Sequence, residues 1–365
     1  MPNAVDFDTY AEQFGGAIHL DFATQKPDTF SLYLSGYLQF INALSKQGLK
    51  NKRNETLSLQ SGVTVELDSE AFAQRLGGRH YIGMSIGHFF SSVYLSSELF
   101  YRTRLFPNFG ESPLLGGAVQ EATSIGLAID GSFWTEHAHV VGERILGVDV
   151  GDKTRVNYML FLNYVMSILA LHHELYHVVQ GHCSVLNKLG LSGLVTEAKP
   201  YNIDPLYYKI AKKFELSADH ASMTLLIRMI LSDSDIHTAT GKVNIPQRDR
   251  VRLAIIGAGL VSSSWFTLQQ RSKISDKCHP DPRARFINFC MAARPELQTV
   301  QSAEFDDVIQ LSIDDLASIC VICNDLKIAL DGINGGSFVD ANDIDFEQNL
   351  PENVCELLDE EKYYY

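Results

Sequence analysis

A ten-residue segment, His-Glu-Leu-Tyr-His-Val-Val-Gln-Gly-His at 173–182, constrains this chain more than any other feature. It ends a long, mostly apolar stretch that begins near Val156 and contains neither glycine nor proline, and such a stretch predicts a buried helix. On a helix, His173 and His177 lie one turn apart on the same face, with Glu174 beside them. Two imidazoles at this spacing can bind one metal ion, and the carboxylate can act as a general base.

A catalytic zinc ion takes three protein ligands and leaves one position open. The third ligand is predicted from a second long helical pattern, residues 206–231, which contains Glu215-Leu-Ser-Ala-Asp219. Glu215 is predicted to complete the metal site. Asp219, one turn later on the same face, is predicted to accept the free N–H of a liganding imidazole and so to fix the orientation of that ring. The alternative is that both carboxylates belong to a solvated helix face.

Several other histidines compete for the third position: His182, His220, His137 and His139. Gly181 allows the first helix to end or bend. If that helix instead continues, His182 lies off the ligand face, which favours a supporting or packing role. His220 points away from the face that carries the two carboxylates. His172 is adjacent to the first ligand and faces elsewhere, which favours a role in the core or in a helix contact.

HExxHxxxGH followed by ExxAD resembles the motifs of the gluzincin metallopeptidases, most closely those of the group that contains the bacterial heat-shock membrane protease and the CAAX prenyl proteases. Residues 275–287, SDKCHPDPRARFI, resemble a third segment of that group, Ser/Thr-x-His-Pro with an arginine five residues after the proline. The resemblance covers roughly residues 120–295, and the three motifs occur in the same order. It implies that His279 stabilises the oxyanion and that Arg285 supports the metal site. Arg283 is a rival for the second role.

The resemblance implies one zinc ion per chain, held by His173, His177 and Glu215. It also implies hydrolysis of peptide bonds in a protein substrate by metal-activated water, with Glu174 as the general base. A more distant resemblance is to the Lit-type phage-exclusion peptidase. Two alternatives remain open: a phage-defence peptidase that stays inactive until triggered, and a catalytically silent zinc-binding scaffold.

Peptidases of this type bind their substrate as an added strand at a sheet edge. Residues 125–133 partly resemble the family's edge strand, and the wider stretch 123–134 contains β-branched and aromatic residues suited to this role. Its Asp130-Gly131 pair is equally typical of a hairpin turn.

Composition limits the class of protein. A formal charge of −14 argues against binding to nucleic acid, because phosphate contacts require a basic surface. The six cysteines do not have the spacing of a disulfide framework, the N-terminus does not resemble a signal peptide, and no apolar run reaches about 20 residues. We therefore expect a cytoplasmic protein without a transmembrane segment.

Cys320 and Cys323 form a CxxC within an apolar helical run, which favours a packed helix face over a redox or zinc site.

The chain is predicted to be mainly α (α+β): a zincin-like catalytic core with an active-site helix pair and a small mixed sheet. We divide it into residues 1–115 of unknown role, a metallopeptidase core at 116–295, a C-terminal helical region at 296–339, and an acidic tail at 340–365.

Smaller expectations concern a helix at 31–45, a strand at 62–67, and a small-residue-rich helix at 245–271 that packs closely on the catalytic helices. His80 and His88 are assigned to structure. Residues 340–361 carry nine acidic residues and no lysine or arginine, which is typical of a solvated, flexible tail.

Overall fold

The computed structural model describes residues 5–18, 41–102, 105–106, 109, 126–127, 153–190, 194–196, 205–232, 237–238, 241–242, 245–271, 279–300, 303–305, 307–330 and 350–364. Over these residues the chain is mainly helical with a small mixed sheet, which confirms the predicted fold class. The described helices are numbered in chain order: α1 (Phe7–Ala11), α2 (Ile86–Tyr101), α3 (Lys153–Val179), α4 (His182–Lys188), α5 (Pro205–Ser232), α6 (Gln247–Arg271), α7 (Pro282–Thr299), α8 (Val308–Cys320), α9 (Asn324–Ala329) and α10 (Glu352–Glu361).

The mixed sheet has the strand order β1-β2-β4-β3-β5, from β1 (Ala17–Ile18), β2 (Leu59–Thr64), β3 (Ala71–Leu76), β4 (Arg79–Ser85) and β5 (Leu194–Thr196). The β2–β4 pair is parallel and the other pairs are antiparallel. A two-residue turn joins β3 to β4. Gly77 and Gly78 have φ values of 58° and 82°, the left-handed backbone that a tight hairpin turn requires. The strand predicted at 62–67 begins earlier and ends at Thr64. A separate hairpin pairs β6 (His237–Thr238) with β7 (Gly241–Lys242).

Helix α3 is the central element, because it packs against β3, β4, α2, α5 and α6. Many of its apolar side chains are fully buried, as Leu162, Val165 and Leu169 show. Helix α6 approaches it closely at Gly257, where an added Cβ would lie 2.7 Å from Val165 Cγ1. The expected close packing of the 245–271 helix is therefore confirmed. Complete burial of His173, Glu174 and His177 holds the HExxH end of α3 in a rigid environment.

The acidic C-terminal segment is not a solvated tail over residues 350–364, so that expectation was wrong there. Helix α10 packs on α4, and Val354 is buried. The backbone N–H of Tyr363 donates to Val179 O at the end of α3, at 2.9 Å. Residues 340–349 lie outside the described part of the chain.

Basic residues from elsewhere in the chain explain why an acidic helix can dock. Asp359 pairs with Lys52, and Glu360 pairs with Arg53. Glu361 is fully buried, accepts from Arg75 at 3.0 Å and also pairs with Lys188. The charge pattern of residues 340–361 alone could not reveal these distant partners.

The two histidines assigned to structure are buried and bonded. His80 Nε2 lies 3.2 Å from Tyr363 Oη, and His88 Nδ1 lies 3.1 Å from Ser69 Oγ. Burial lowers the pKa of His80 to about 3 and that of His88 to about 4, so both rings are neutral near pH 7.

The CxxC segment does not form one continuous helix. Helix α8 ends at Cys320, and Cys323 precedes α9 in an extended conformation. Both thiols are free, and burial raises the pKa of Cys323 to about 11. Within the described ranges, no candidate metal cluster includes either cysteine. None of the helices in the described ranges is long and apolar enough to cross a membrane.

Candidate metal centre

Helix α3 presents the two histidines of the HExxH motif to the same point. The Nε2 atoms of His173 and His177 are 2.9 Å apart, and both rings are fully buried. The helix ends two residues later, and Gly181 adopts φ 82° between α3 and α4. Gly181 therefore ends the helix, one of the outcomes that the sequence left open.

Helix α5 brings Glu215 to these nitrogens. One carboxylate oxygen lies 3.2 Å from His173 Nε2, and the other lies 3.5 Å from His177 Nε2. Three ligands of a tetrahedral zinc ion, each about 2.0–2.1 Å from the metal, are about 3.3 Å apart. The separations in this structure match that arrangement, so His173, His177 and Glu215 form a buried group that could hold a metal ion.

Asp219 lies behind the first ligand. Its Oδ1 atom is 2.9 Å from His173 Nδ1, the nitrogen that faces away from the metal position. Arg285 on α7 holds the same carboxylate with two hydrogen bonds, at 2.7 and 2.8 Å. Arg283 is exposed, so the structure gives this place to Arg285. A carboxylate held in this way fixes both the orientation and the tautomer of the imidazole.

The sequence reasoning missed Trp265 on α6. Its ring centroid lies 4.5 Å from Arg285 Cζ and 5.5 Å from the centroid of the His173 ring. The indole thus stabilises the guanidinium through a cation–π contact in a buried setting. A tryptophan in an otherwise small-residue-rich helix was the only signal in the sequence.

The electrostatics of the centre suit a cation. Burial opposes protonation of His173, but the hydrogen bonds and charges of Asp219 and Glu215 outweigh it and raise its pKa to about 10. Burial holds the pKa of His177 well below its usual value. Burial also opposes ionisation of Glu215, yet the charges of His177 and His173 bring the pKa of that carboxyl well below its usual range. Without a metal, the centre therefore holds a proton on His173, and a metal ion must displace that proton.

Glu174 is buried beside the cluster without belonging to it. Its charge adds to the effect of burial in raising the pKa of Cys183 and Tyr10. Tyr10 stacks on Tyr81 of β4, with ring centroids 4.1 Å apart. The Glu174 carboxylate is therefore close enough to the stacked Tyr10 and Tyr81 rings to influence the pKa of Tyr10.

His182 does not join the three ligands but contacts one of them. Its Nδ1 atom lies 3.0 Å from His177 Nδ1, and its ring stacks on Phe214 with centroids 4.2 Å apart. The ring also lines a cavity of about 310 Å³, together with Phe214 and Ser217 of α5 and Leu358 of the C-terminal segment.

The other competing histidines have different places. The His172 ring donates a hydrogen bond to the backbone carbonyl of Ser222 on α5, in agreement with a helix-contact role. His220 Nδ1 lies 3.3 Å from Asn288 Oδ1 on α7. His137 and His139 lie outside the described residues.

Two predictions of substrate-contacting groups are only partly within the described residues. His279 is buried three residues before the start of α7, the helix that carries Arg285, and its role over the metal stays a prediction.

Of the stretch 123–134, the structure describes Gly126 and Leu127. The Leu127 N–H donates to Asp325 on α9 at 3.0 Å. Whether the stretch is an edge strand or a hairpin stays open.

Comparisons with protein-family models, with curated proteins and with solved structures found no match to this chain. The buried His173, His177 and Glu215 group and the residues around it are therefore what indicate the function.

Proposed function

We propose that the chain is a zinc-dependent endopeptidase of the gluzincin type, acting on a protein substrate. The observation that carries this proposal is the buried group of His173, His177 and Glu215, with Asp219 oriented on its first histidine by Arg285. Two imidazoles and one carboxylate on zinc leave a position for water, as in hydrolytic zinc sites.

The same donor set also occurs in non-haem iron(II) oxygenases, so the position of Glu174 matters for the choice of metal and reaction. Glu174 follows the first ligand directly and lies outside the ligand group. An oxygenase has no need of a carboxylate there, whereas hydrolysis needs a base beside the attacking water. The proposal is therefore hydrolysis with zinc.

Bound zinc supplies Lewis acidity towards water and towards the substrate carbonyl. The chain supplies the proton transfers: Glu174 accepts the proton of the attacking water and passes it to the leaving amine. His279 is proposed to donate a hydrogen bond to the oxyanion. Asp219 and Arg285 hold His173 in place and so preorganise this ligand for the reaction.

Cleavage of an unfolded protein tests this function. Purified wild-type chain with one equivalent of zinc is incubated with denatured, fluorescently labelled casein, in parallel with Glu174→Gln and with Glu356→Gln. Glu356 is an exposed glutamate on α10 and serves as the matched control. We expect cleavage by the wild type and the control, no cleavage by Glu174→Gln, and the same zinc content in all three. Stoichiometric zinc without cleavage by the wild type would contradict the peptidase function and would favour the silent scaffold. An active, zinc-loaded Glu174→Gln variant would refute the role of the base.

A further inference from the structure

The two metal-binding histidines are supported from behind by different groups. His173 Nδ1 faces the Asp219 carboxylate, whereas His177 Nδ1 faces the Nδ1 atom of another histidine, His182, at 3.0 Å. His182 is 2% exposed, and its ring lies flat on Phe214, with an angle of 4° between the ring planes. The position of this ring is thus fixed on one side by packing.

The tautomers of the two rings follow from the metal site. His177 Nε2 faces Glu215 and His173, so a metal ion binds it through the lone pair on that nitrogen. The proton of neutral His177 is then on Nδ1, and two ring nitrogens 3.0 Å apart form a hydrogen bond only if one of them carries the proton. His177 Nδ1–H therefore donates to the lone pair of His182 Nδ1.

The break at Gly181 makes this contact possible. On a continuous helix, a residue five positions after His177 lies about 140° away around the axis. Gly181 adopts φ 82°, and an added Cβ there would lie 2.9 Å from the Glu361 backbone. A residue without a side chain is required both for the backbone conformation and for the space. The turn at Gly181 returns the chain so that His182 reaches the back of His177.

We propose that His182 is a positioning residue for the metal site. It holds His177 in the tautomer and orientation that expose Nε2 to the metal, the task that Asp219 performs for His173. This inference rests on the metal site of the proposed function but does not depend on peptidase activity. Unlike Asp219, His182 is a neutral acceptor, so it orients its partner ring without adding negative charge.

Two substitutions separate hydrogen bonding from packing. His182→Phe keeps an aromatic ring against Phe214 and removes the acceptor. His182→Asn places an amide oxygen near the position of Nδ1 and removes the stacked ring. The dissociation constant for zinc is measured by competition with a chromophoric chelator, and the visible spectrum of the cobalt(II)-loaded protein reports on the ligand geometry. The thermal midpoint of each metal-free variant shows whether it folds.

If His182 positions His177, His182→Phe weakens zinc binding by about 10- to 100-fold and changes the cobalt spectrum, while His182→Asn stays within a few-fold of wild type. Wild-type affinity and spectrum in a folded His182→Phe variant would overturn the proposal, as would weakening in His182→Asn alone. Should the wild type bind zinc without cleaving protein, the peptidase function fails, and the two His182 variants still decide this inference. Should it bind no zinc, both fail.

Discussion

The pair of Asp219 and Arg285 gives the sharpest energetic prediction. Both side chains are buried, and two hydrogen bonds of 2.7 and 2.8 Å join them. Asp219→Asn keeps the size of the side chain but removes its charge, so the buried Arg285 guanidinium loses its nearest anionic partner and keeps only Glu215, at 3.6 Å. Loss of one partner of a buried ion pair costs about 3–5 kcal/mol. For 365 residues, with an unfolding entropy of about 2.1 cal/mol/K per residue, this corresponds to a fall of roughly 4–7 °C in the melting temperature.

The assay is urea and thermal unfolding of the metal-free protein, so that altered metal binding does not contribute to the result. The control is Asp307→Asn, which breaks an exposed pair with Arg248 and should cost at most about 1 kcal/mol. The double variant Asp219→Asn, Arg285→Met should recover part of the loss, because it removes the uncompensated charge. A cost below about 1 kcal/mol for Asp219→Asn would refute the argument that this pair is shielded from water.

Three further predictions concern other parts of the molecule. Gly181→Ala should lower stability by more than 1 kcal/mol in urea unfolding and weaken zinc binding, because the new Cβ meets the Glu361 backbone and strains a positive φ. Glu361→Gln should lower the melting temperature, because Arg75 and Lys188 lose a buried anionic partner. Acid should destabilise the metal-free protein through His88, whose pKa of about 4 lies below its usual 6.5. The contribution of His88 to the free energy of unfolding is complete above pH 6.5 and falls by about 1.4 kcal/mol per pH unit towards pH 4. In His88→Asn, the urea midpoint should therefore change less between pH 6.5 and pH 4 than it does in the wild type.

The sequence predicted those parts of the site that depend on local spacing. His173 and His177 had to share a helix face, and Glu215 and Asp219 had to share another, so two helical patterns were enough to pair them. Arg285 was assigned from the resemblance, and the structure decided between it and Arg283 by burial.

The remaining features depend on contacts between distant parts of the chain, which spacing does not encode. Trp265 was missed because its role arises only when α6 packs beside α3 and α7. The docked helix α10 was mistaken for a solvated tail because its basic partners, such as Arg53 and Arg75, are far away in sequence. The role of His182 was left open because it depends on the direction of the chain after Gly181.

Metal analysis of the purified protein tests the central claim most directly. Wild type, Glu215→Ala and the exposed-site control Glu356→Ala are stripped with a chelator, reloaded with excess zinc, desalted and measured by mass spectrometry. The account predicts one zinc ion per chain in wild type and control, and close to none in Glu215→Ala, because only two ligands remain. An unchanged zinc content in Glu215→Ala would contradict the metal centre described for this protein.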